Sequence, residues 1–296
     1  MKSKLLLLLI PAILTNSTAG ISAQNESTVR ILFTNNSNGK LENCNCRNDH
    51  TGGLAERVGF LRKYRKEHPD IILLDSGGYL GLYDIERKGP AVLELMTMME
   101  YDAWSIGDQE LYWGFRKFMA RFGGFKDRMV NASIVDSAGK PVFGQYRIFT
   151  VGDIRIGVTG IVSKETFRFF PDESRDFAFE NPDTALERIL PEMKKSCDYI
   201  IVLSQMGKKE DVSLAERQQD IDLIIGGHSQ TLLEEVIGIS GCHIVQAGKG
   251  GGRVGEIVVT FDGKGDTKDF AYKLIELDES YKIPDDTKPI LEKSKP

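Results

Sequence analysis

The chain has 296 residues, and its 38 Lys and Arg side chains are outnumbered by 43 Asp and Glu, giving a formal net charge of −5. This acidic balance argues against a nucleic-acid-binding protein, because such proteins need a basic surface. The length suits one large α/β domain.

A predicted export signal occupies residues 1–23. Two lysines precede the apolar run Leu5–Leu14, and the small residues Ala19 and Ala23 offer cleavage sites. The run is shorter than the roughly 20 residues that span a bilayer. We therefore expect an exported protein that does not span a membrane and is located in the periplasm or outside the cell.

Short apolar runs alternate with helical patterns over residues 25–277, which predicts one domain there. Its first half holds strand Val29–Thr34, helix Leu54–Lys66, strand Ile71–Leu74, helix Ala91–Met99, strands Trp104–Ile106 and Met129–Ala132, and a hairpin of Tyr146–Thr150 and Ile154–Thr159. Its second half holds a helix from Thr184 to about Lys195 and strands Tyr199–Ser204, Ile221–Ile225, His243–Ala247, Gly255–Phe261 and Phe270–Leu277. Continuous apolar runs between helices are typical of sheets covered on both faces, and the hairpin indicates mixed sheets.

Two proline-containing segments carry further expectations. Pro191 predicts a kink or break in the helix that follows Thr184. Residues 278–296 are polar and contain three prolines, which is typical of a linker or a loosely docked tail.

Polar residues follow several of the predicted strands within Gly-rich turns. The segments are Thr34-Asn35-Asn36-Ser37-Asn38-Gly39, Asp75-Ser76-Gly77-Gly78, Gly107-Asp108-Gln109-Glu110 and Gly226-Gly227-His228-Ser229-Gln230, with Gln205 directly after Leu203-Ser204. Ligands of α/β sheets bind at the carboxyl ends of strands. We therefore expect these segments to converge on one cleft.

The order and spacing of these segments resemble the calcineurin-like metallophosphoesterases, in the branch formed by the N-terminal domain of bacterial 5′-nucleotidases. The resemblance extends from Val29 to about Leu277. It implies an α/β fold that is a four-layer sandwich, in which two packed mixed β-sheets are flanked by helices. It also implies a dinuclear metal site for phosphoester hydrolysis.

Carried over residue by residue, the resemblance implies a degenerate metal site. The family's T-N-D-x-H-G, D-x-G-D and G-N-H-E patterns, its histidine after Leu-Ser and its G-H-x-H pattern supply the ligands and a catalytic histidine. The matching metal positions here are Asn36, Asn38, Gly78, Asp108, Gln205, His228 and Gln230, and the catalytic position is Gln109. Only His228 keeps the family residue.

These replacements predict the loss of dinuclear hydrolysis. Amides bind hard cations weakly, a bridging carboxylate is missing at Gly78, and Gln109 cannot transfer a proton as histidine does. We expect no cofactor and a binding or accessory role toward an unknown small molecule or protein partner. A remodelled phosphoesterase site that uses Asp108 and His228 with one weakly bound divalent cation is the alternative. The amides are explained either by drift or by a cleft retained for neutral hydrogen bonding.

A second group of candidate residues precedes the first predicted helix. Cys44 and Cys46 form a C-x-C pair that could be a reducible strained disulfide with a thiol-redox role, a soft-metal site, or an inert disulfide. Gly52 and Gly53 place backbone N–H groups at a helix start, with Arg57 one turn later. This arrangement is compatible with an anion-binding site and equally with an ordinary helix cap.

Overall fold

The computed structural model describes residues 26–43, 51–112, 114–168, 176–278 and 280–296. The strands within these ranges are β1 (Ser27–Thr34), β2 (Ile72–Asp75), β3 (Ala103–Trp104), β4 (Ile134–Val135), β5 (Tyr146–Val151), β6 (Ile154–Ile161), β7 (Ala178–Phe179), β8 (Tyr199–Ser204), β9 (Leu223–Ile225), β10 (Ile237–Ile239), β11 (Cys242–Val245), β12 (Arg253–Phe261) and β13 (Thr267–Glu276). The helices are α1 (Leu54–Glu67), α2 (Ile85–Met99), α3 (Asp108–Leu111), α4 (Phe115–Phe122), α5 (Pro182–Ser196), α6 (Lys208–Arg217) and α7 (Lys288–Lys293).

Two mixed sheets carry the fold. The first has the order β13-β12-β1-β2-β3, and the second has the order β10-β11-β9-β8-β6-β5. In the first, β1 pairs in parallel with β2 and antiparallel with β12. In the second, β6, β8, β9 and β11 run parallel, while β5 and β10 are antiparallel edge strands. The prediction of mixed sheets is confirmed.

The central strands of both sheets are buried on both faces, which explains the continuous apolar runs. On β1, Ile31 and Phe33 belong to the core between the sheets, whereas Leu32 packs with α1 and α2. On β8, Ile201 lies in the core between the sheets and Val202 packs with α5 and α6. Successive side chains of a strand point to opposite faces. The layers are therefore helices, sheet, sheet and helices, as the resemblance implied.

The carboxyl ends of the parallel strands from both sheets meet at one edge of the sandwich. Ser76 follows β2, and its Oγ donates to the carbonyl of Gly226, which follows β9, at 3.1 Å. This hydrogen bond joins the two sheets at the polar segments identified in the sequence.

Some predicted element boundaries were wrong. Residues Met129–Ala132 form only isolated bridges, from Met129 to Trp104 and from Val130 to Gly144. Helix α2 begins at Ile85, ahead of the predicted Ala91. Helix α5 continues through Pro191, because this proline lies on the exposed face, where the carbonyl that loses its partner reaches water.

The C-terminal segment is docked, which corrects the expectation of a loose tail. Ile290 and Leu291 of α7 are buried in the cluster that also contains α1 and α2 residues. Nη1 and Nη2 of Arg62 on α1 each donate to one oxygen of the Asp286 carboxylate at 2.8 Å. Ile290 and Leu291 are adjacent in the sequence, and a pair of apolar residues is too short a pattern to predict this docking.

None of the helices in the described ranges combines the length and apolar character required to cross a membrane. The predicted export signal of residues 1–23 and the pair Cys44 and Cys46 lie outside the described residues.

Candidate functional site

Five of the seven metal positions that the resemblance implies lie in turns whose backbone is left-handed. Asn36, Asn38, His228 and Gln230 have φ angles of 45°, 52°, 60° and 55°, and Gly78 has a φ of 72°. Such angles are uncommon outside glycine, although asparagine tolerates them better than most residues. The turns therefore hold a demanding backbone geometry, and three of these five positions carry uncharged amide side chains.

The Asn36 amide occupies the space beside Gly78. A Cβ atom placed on Gly78 would lie 2.6 Å from Asn36 Nδ2. The two turns are also joined through the backbone, since Asn36 N donates to the Gly77 carbonyl and Asn38 N to the Gly78 carbonyl, both at 2.9 Å. A side chain at position 78 would therefore require the Asn36 amide to move.

Gln205 fills the middle of the site. A Cβ atom on Gly77 would lie 2.9 Å from Gln205 Cγ, and one on Gly107 would lie 2.8 Å from Gln205 Oε1. A Cβ atom on Gly227 would overlap the Gln205 amide nitrogen. Gln205 is fully buried, and neither polar atom of its amide has a hydrogen-bond partner among the described residues. The amide is thus enclosed by three glycines contributed by three different turns.

Two pairs of side chains span the outer part of the cleft. In the amide orientation that satisfies its neighbours, Gln109 Nε2 donates to the Leu80 carbonyl and, at 3.0 Å, to Asn38 Oδ1. Asp108 Oδ1 lies 3.6 Å from His228 Nδ1. The half-buried Gln230 lies two residues beyond His228. The structure therefore brings the sequence-predicted residues of the cleft to one edge of the sandwich.

The residues present do not fit two metal ions. Within the described ranges, no group of three or more His, Cys, Asp and Glu side chains is placed to hold a metal ion. The amides of Asn36 and Gln205 take up space against Gly78 and Gly227, and neutral amides do not offset two dications. Asp108 and His228 remain as a pair that could contribute two ligands to a single cation.

Behind the cleft, Glu110 organises the turns. Its carboxylate accepts N–H bonds from Gly78 at 2.9 Å, Leu80 at 3.0 Å and Gly107 at 2.9 Å. Burial raises the pKa of Glu110 to about 7, although these three hydrogen bonds act in the opposite direction. Glu110 therefore fixes the turn that contains Gly78 independently of any metal.

Asp75 and Arg57 belong to one buried network. Thr34 Oγ1 donates to Asp75 Oδ2 at 2.5 Å and is 2.8 Å from the Tyr101 hydroxyl. Arg57 Nη1 donates to the same hydroxyl at 3.0 Å, and Arg57 Nη2 donates to the Gly251 carbonyl at 3.0 Å. Burial raises the pKa of Asp75 to about 6, while Thr34 and the Arg57 charge lower it. This network ties α1 to both β1 and β2.

The same contacts speak against the predicted anion site at Gly52, Gly53 and Arg57. Gly52 N donates to the Leu277 carbonyl at 2.5 Å, and Gly53 N donates to Glu56 Oε2 at 2.8 Å. Arg57 is only 1% exposed. The Gly52 and Gly53 N–H groups and both Nη atoms of Arg57 are therefore used by the protein itself. The helix-cap interpretation describes this segment.

A buried carboxyl group also lies behind the Gly226–Gly227 turn. Ser204 Oγ donates to Asp211 Oδ1, and Asp211 Oδ2 has no hydrogen-bond partner among the described residues. A Cβ atom on Gly226 would lie 2.6 Å from this Oδ2. Burial raises the pKa of Asp211 to about 7.

A cavity of about 510 Å³ opens beside Asp108 and His228. Its wall includes Ser163, which follows β6, and residues from the N-terminal turn of α5 and from α6. Neither this cavity nor the support from Glu110 was predicted from the sequence. Glu110 directly follows Gln109, a position that the resemblance had marked, and it could have been found from the sequence. The contribution of α5 and α6 could not, because no spacing pattern connects them to the cleft.

Comparisons with known proteins agree with the fold. No family model matches the sequence. The chain is 29% identical over 219 residues to a 5′-nucleotidase of Bos taurus, covering 69% of this chain and 38% of the relative. It is 29% identical over 259 residues to the trifunctional nucleotide phosphoesterase protein YfkN of Bacillus subtilis, covering 73% of this chain and 18% of the relative. The chain thus spans well under half the length of these relatives.

Solved structures show the same architecture. A 5′-nucleotidase precursor from Thermus thermophilus superimposes with a TM-score of 0.78 and 25% identity, covering 90% of this chain and 58% of that chain. The calcineurin-like phosphoesterase YfkN from Bacillus subtilis superimposes with a TM-score of 0.77 and 18% identity, covering 91% of this chain and 97% of that chain. The second likeness concerns the fold alone.

Proposed function

We propose that this member of the calcineurin-like phosphoesterases, in the branch of the 5′-nucleotidases, has lost dinuclear-metal hydrolysis and acts as a binding or accessory module. The observation that carries this proposal is the position of Gln205. Its amide is enclosed by Gly77, Gly107 and Gly227 in the middle of the cleft, where it provides neither charge nor an imidazole ligand.

The chemistry of the remaining cleft supports the loss of hydrolysis. Without a bound dication, no water is acidified toward neutral pH. Gln109 holds the position of the catalytic histidine, and its amide cannot take up or release a proton at neutral pH. A metal-dependent attack on a phosphoester therefore lacks both its nucleophile and its proton carrier.

The intact turns favour a retained binding role over drift. Asn36, Asn38, His228 and Gln230 keep left-handed backbones, and such strained conformations persist only where the surrounding structure enforces them. The amides stand where the resemblance implies imidazoles and one carboxylate, and they leave no unpaired charge in a buried cleft, which would be costly. A cleft that keeps its turns and lines them with uncharged amides is suited to binding by hydrogen bonds.

Elemental analysis and a phosphatase screen of the purified mature protein test this proposal. We expect a metal content well below one ion per chain and no hydrolysis of AMP or bis(p-nitrophenyl) phosphate with added Mn²⁺. Hydrolysis that depends on Mn²⁺ and disappears in His228→Ala would contradict the proposal. Glu216→Gln, an exposed substitution on α6, is the matched control.

The proximity of Asp108 and His228 favours a second candidate, a phosphoesterase with a remodelled single-cation site. Asp108 Oδ1 and His228 Nδ1 are 3.6 Å apart, so both can approach one divalent ion. This candidate predicts about one metal ion per chain, lost in both Asp108→Ala and His228→Ala. A preparation that stays metal-free and inactive after incubation with Mn²⁺ and Zn²⁺ excludes it.

We also propose that the protein is exported, on the strength of the charged, apolar and small-residue order of residues 1–23. Expression of the full chain in a Gram-negative host should yield periplasmic protein whose N-terminus follows Ala19 or Ala23. An uncleaved N-terminus in the cytoplasmic fraction would contradict export.

A further inference from the structure

We propose that the cavity beside Asp108 and His228 binds an uncharged ligand rich in hydroxyl groups, with the chemistry shared by sugars and nucleosides. This inference rests on the proposed loss of the metal ions and names the class of ligand for the binding role. The cavity has a volume of about 510 Å³, which lies within the range of small-molecule sites.

The charges of the cavity wall disfavour a phosphorylated ligand. The wall contains the carboxylates of Asp108, Glu165, Asp183 and Glu210, but only two guanidinium groups, those of Arg168 and Arg217. A pair of metal ions would reverse this balance, and the side chains present do not fit such a pair. A phosphate dianion would therefore enter a wall with an excess of like charge.

One guanidinium of the same wall is built into an ion pair, which balances its charge inside the wall. Arg217 Nε and Nη2 donate to the two carboxylate oxygens of Asp183 at 3.2 and 3.0 Å. This planar pair presents donors and acceptors side by side. Vicinal hydroxyl groups, which both donate and accept, match such a pair without adding charge.

Further polar groups in the wall are available to hydroxyl groups. Ser163 is 8% exposed, and its Oγ forms no hydrogen bond with the described residues. Asn181 uses its Oδ1 to cap α5 by accepting from Asp183 N and Thr184 N, and its amide nitrogen has no partner among the described residues. Met206 adds an apolar surface to the wall. This mixture of hydroxyl, amide, carboxylate and thioether groups fits the two faces of a sugar ring.

Calorimetric titration of the EDTA-treated mature protein tests the inference. The probes are adenosine with AMP, and a panel of neutral saccharides with their phosphorylated counterparts. We expect at least one uncharged member to bind, and its phosphorylated partner to bind at least about tenfold more weakly. The nucleoside and saccharide arms identify which source supplies the hydroxyl groups. Failure of every uncharged probe to bind, or equal or tighter binding of the phosphorylated partner, overturns the proposal.

Variants connect binding to this cavity. Ser163→Ala should weaken the uncharged ligand about fivefold through the loss of one hydrogen bond. The double variant Glu165→Gln, Glu210→Gln should narrow the preference for the uncharged ligand over its phosphorylated partner. Glu216→Gln removes one exposed carboxylate of α6 outside the cavity wall and should leave both affinities unchanged. An effect of Glu216→Gln as large as that of the double variant overturns the assignment to this cavity.

Failure of this inference and failure of the proposed function are distinguishable. The titrations use metal-free protein, whereas the hydrolysis assay adds Mn²⁺. A protein that hydrolyses AMP with Mn²⁺ contradicts the loss of catalysis. A metal-free protein that is inactive and binds no uncharged probe contradicts only the ligand class.

Discussion

The front and the back of the same turns differ in their chemistry. In front, toward the cleft, the amides of Asn36 and Gln205 stand at metal positions of the related family. Behind the turns, the Asp75 carboxyl group accepts a hydrogen bond from Gly77 N. The Glu110 carboxyl group accepts hydrogen bonds from the backbone N–H groups of three turn residues. The back sets the geometry of the turns and the front sets their reactivity, so the geometry can persist without the reactivity.

The largest expected effect comes from restoring the front while leaving the back unchanged. The restoring set is Asn36→Asp, Asn38→His, Gly78→Asp, Asp108→Asn, Gln109→His, Gln205→His and Gln230→His. Because the turns are still in place, we expect this variant to bind two metal ions per chain and to hydrolyse bis(p-nitrophenyl) phosphate with Mn²⁺ on the order of a hundredfold faster than the parent.

The matched control for the restoring set omits Gly78→Asp. It lacks the bridging carboxylate that holds two ions about 3.5–4 Å apart, so it should bind fewer ions and remain inactive. A complete variant that folds and binds both ions but does not hydrolyse the substrate would show that the back has also lost its geometry.

Removal of a buried charge behind the turns should cost stability rather than binding. Arg57→Met breaks the bonds to the Tyr101 hydroxyl and the Gly251 carbonyl and should lower the free energy of unfolding by about 3 kcal/mol. Urea denaturation measures the change. Arg62→Met on the same helix breaks only the exposed pair with Asp286 and should cost under about 1 kcal/mol. Equal losses in the two variants would refute the distinction.

The buried strands could be predicted because they follow from local patterns, whereas the four-layer arrangement was implied by the family resemblance. β8 was predicted at its observed bounds, since its apolar run is continuous and buried on both faces. The docking of α7 could not be predicted, because it depends on the tertiary surface of α1 and α2 and not on a periodic pattern of its own. Most of the cleft residues were found through their turns. The contact between Gln205 and Gly227 was not found, since the two residues follow different strands and no local pattern connects them.

A third prediction concerns this contact at the front. Gly227→Ala places a methyl group against the Gln205 amide, and overpacking of this kind should lower the free energy of unfolding by about 2 kcal/mol. Gln205→Ala in the same chain should restore most of the loss. Gly124→Ala, at a glycine with nothing within 4 Å of its added Cβ, is the control. Additive effects of the Gly227 and Gln205 substitutions would show that the amide is not enclosed there.

The smallest expected effect is a pH dependence at the back of the Gly226–Gly227 turn. Burial raises the pKa of Asp211 from 3.8 to about 7, so between these values the folded state keeps a proton that the unfolded state releases. The stability from this group is complete below pH 3.8 and is lost as the pH rises through about 7. Compared with Asp211→Asn, the parent should lose roughly 1–2 kcal/mol more between pH 5 and pH 7. Asp153→Asn, an exposed turn substitution, should leave the parent's profile unchanged. Urea denaturation across this pH range measures the difference, and parallel profiles for the parent and Asp211→Asn would mean that Asp211 is ionised at pH 5 despite its burial.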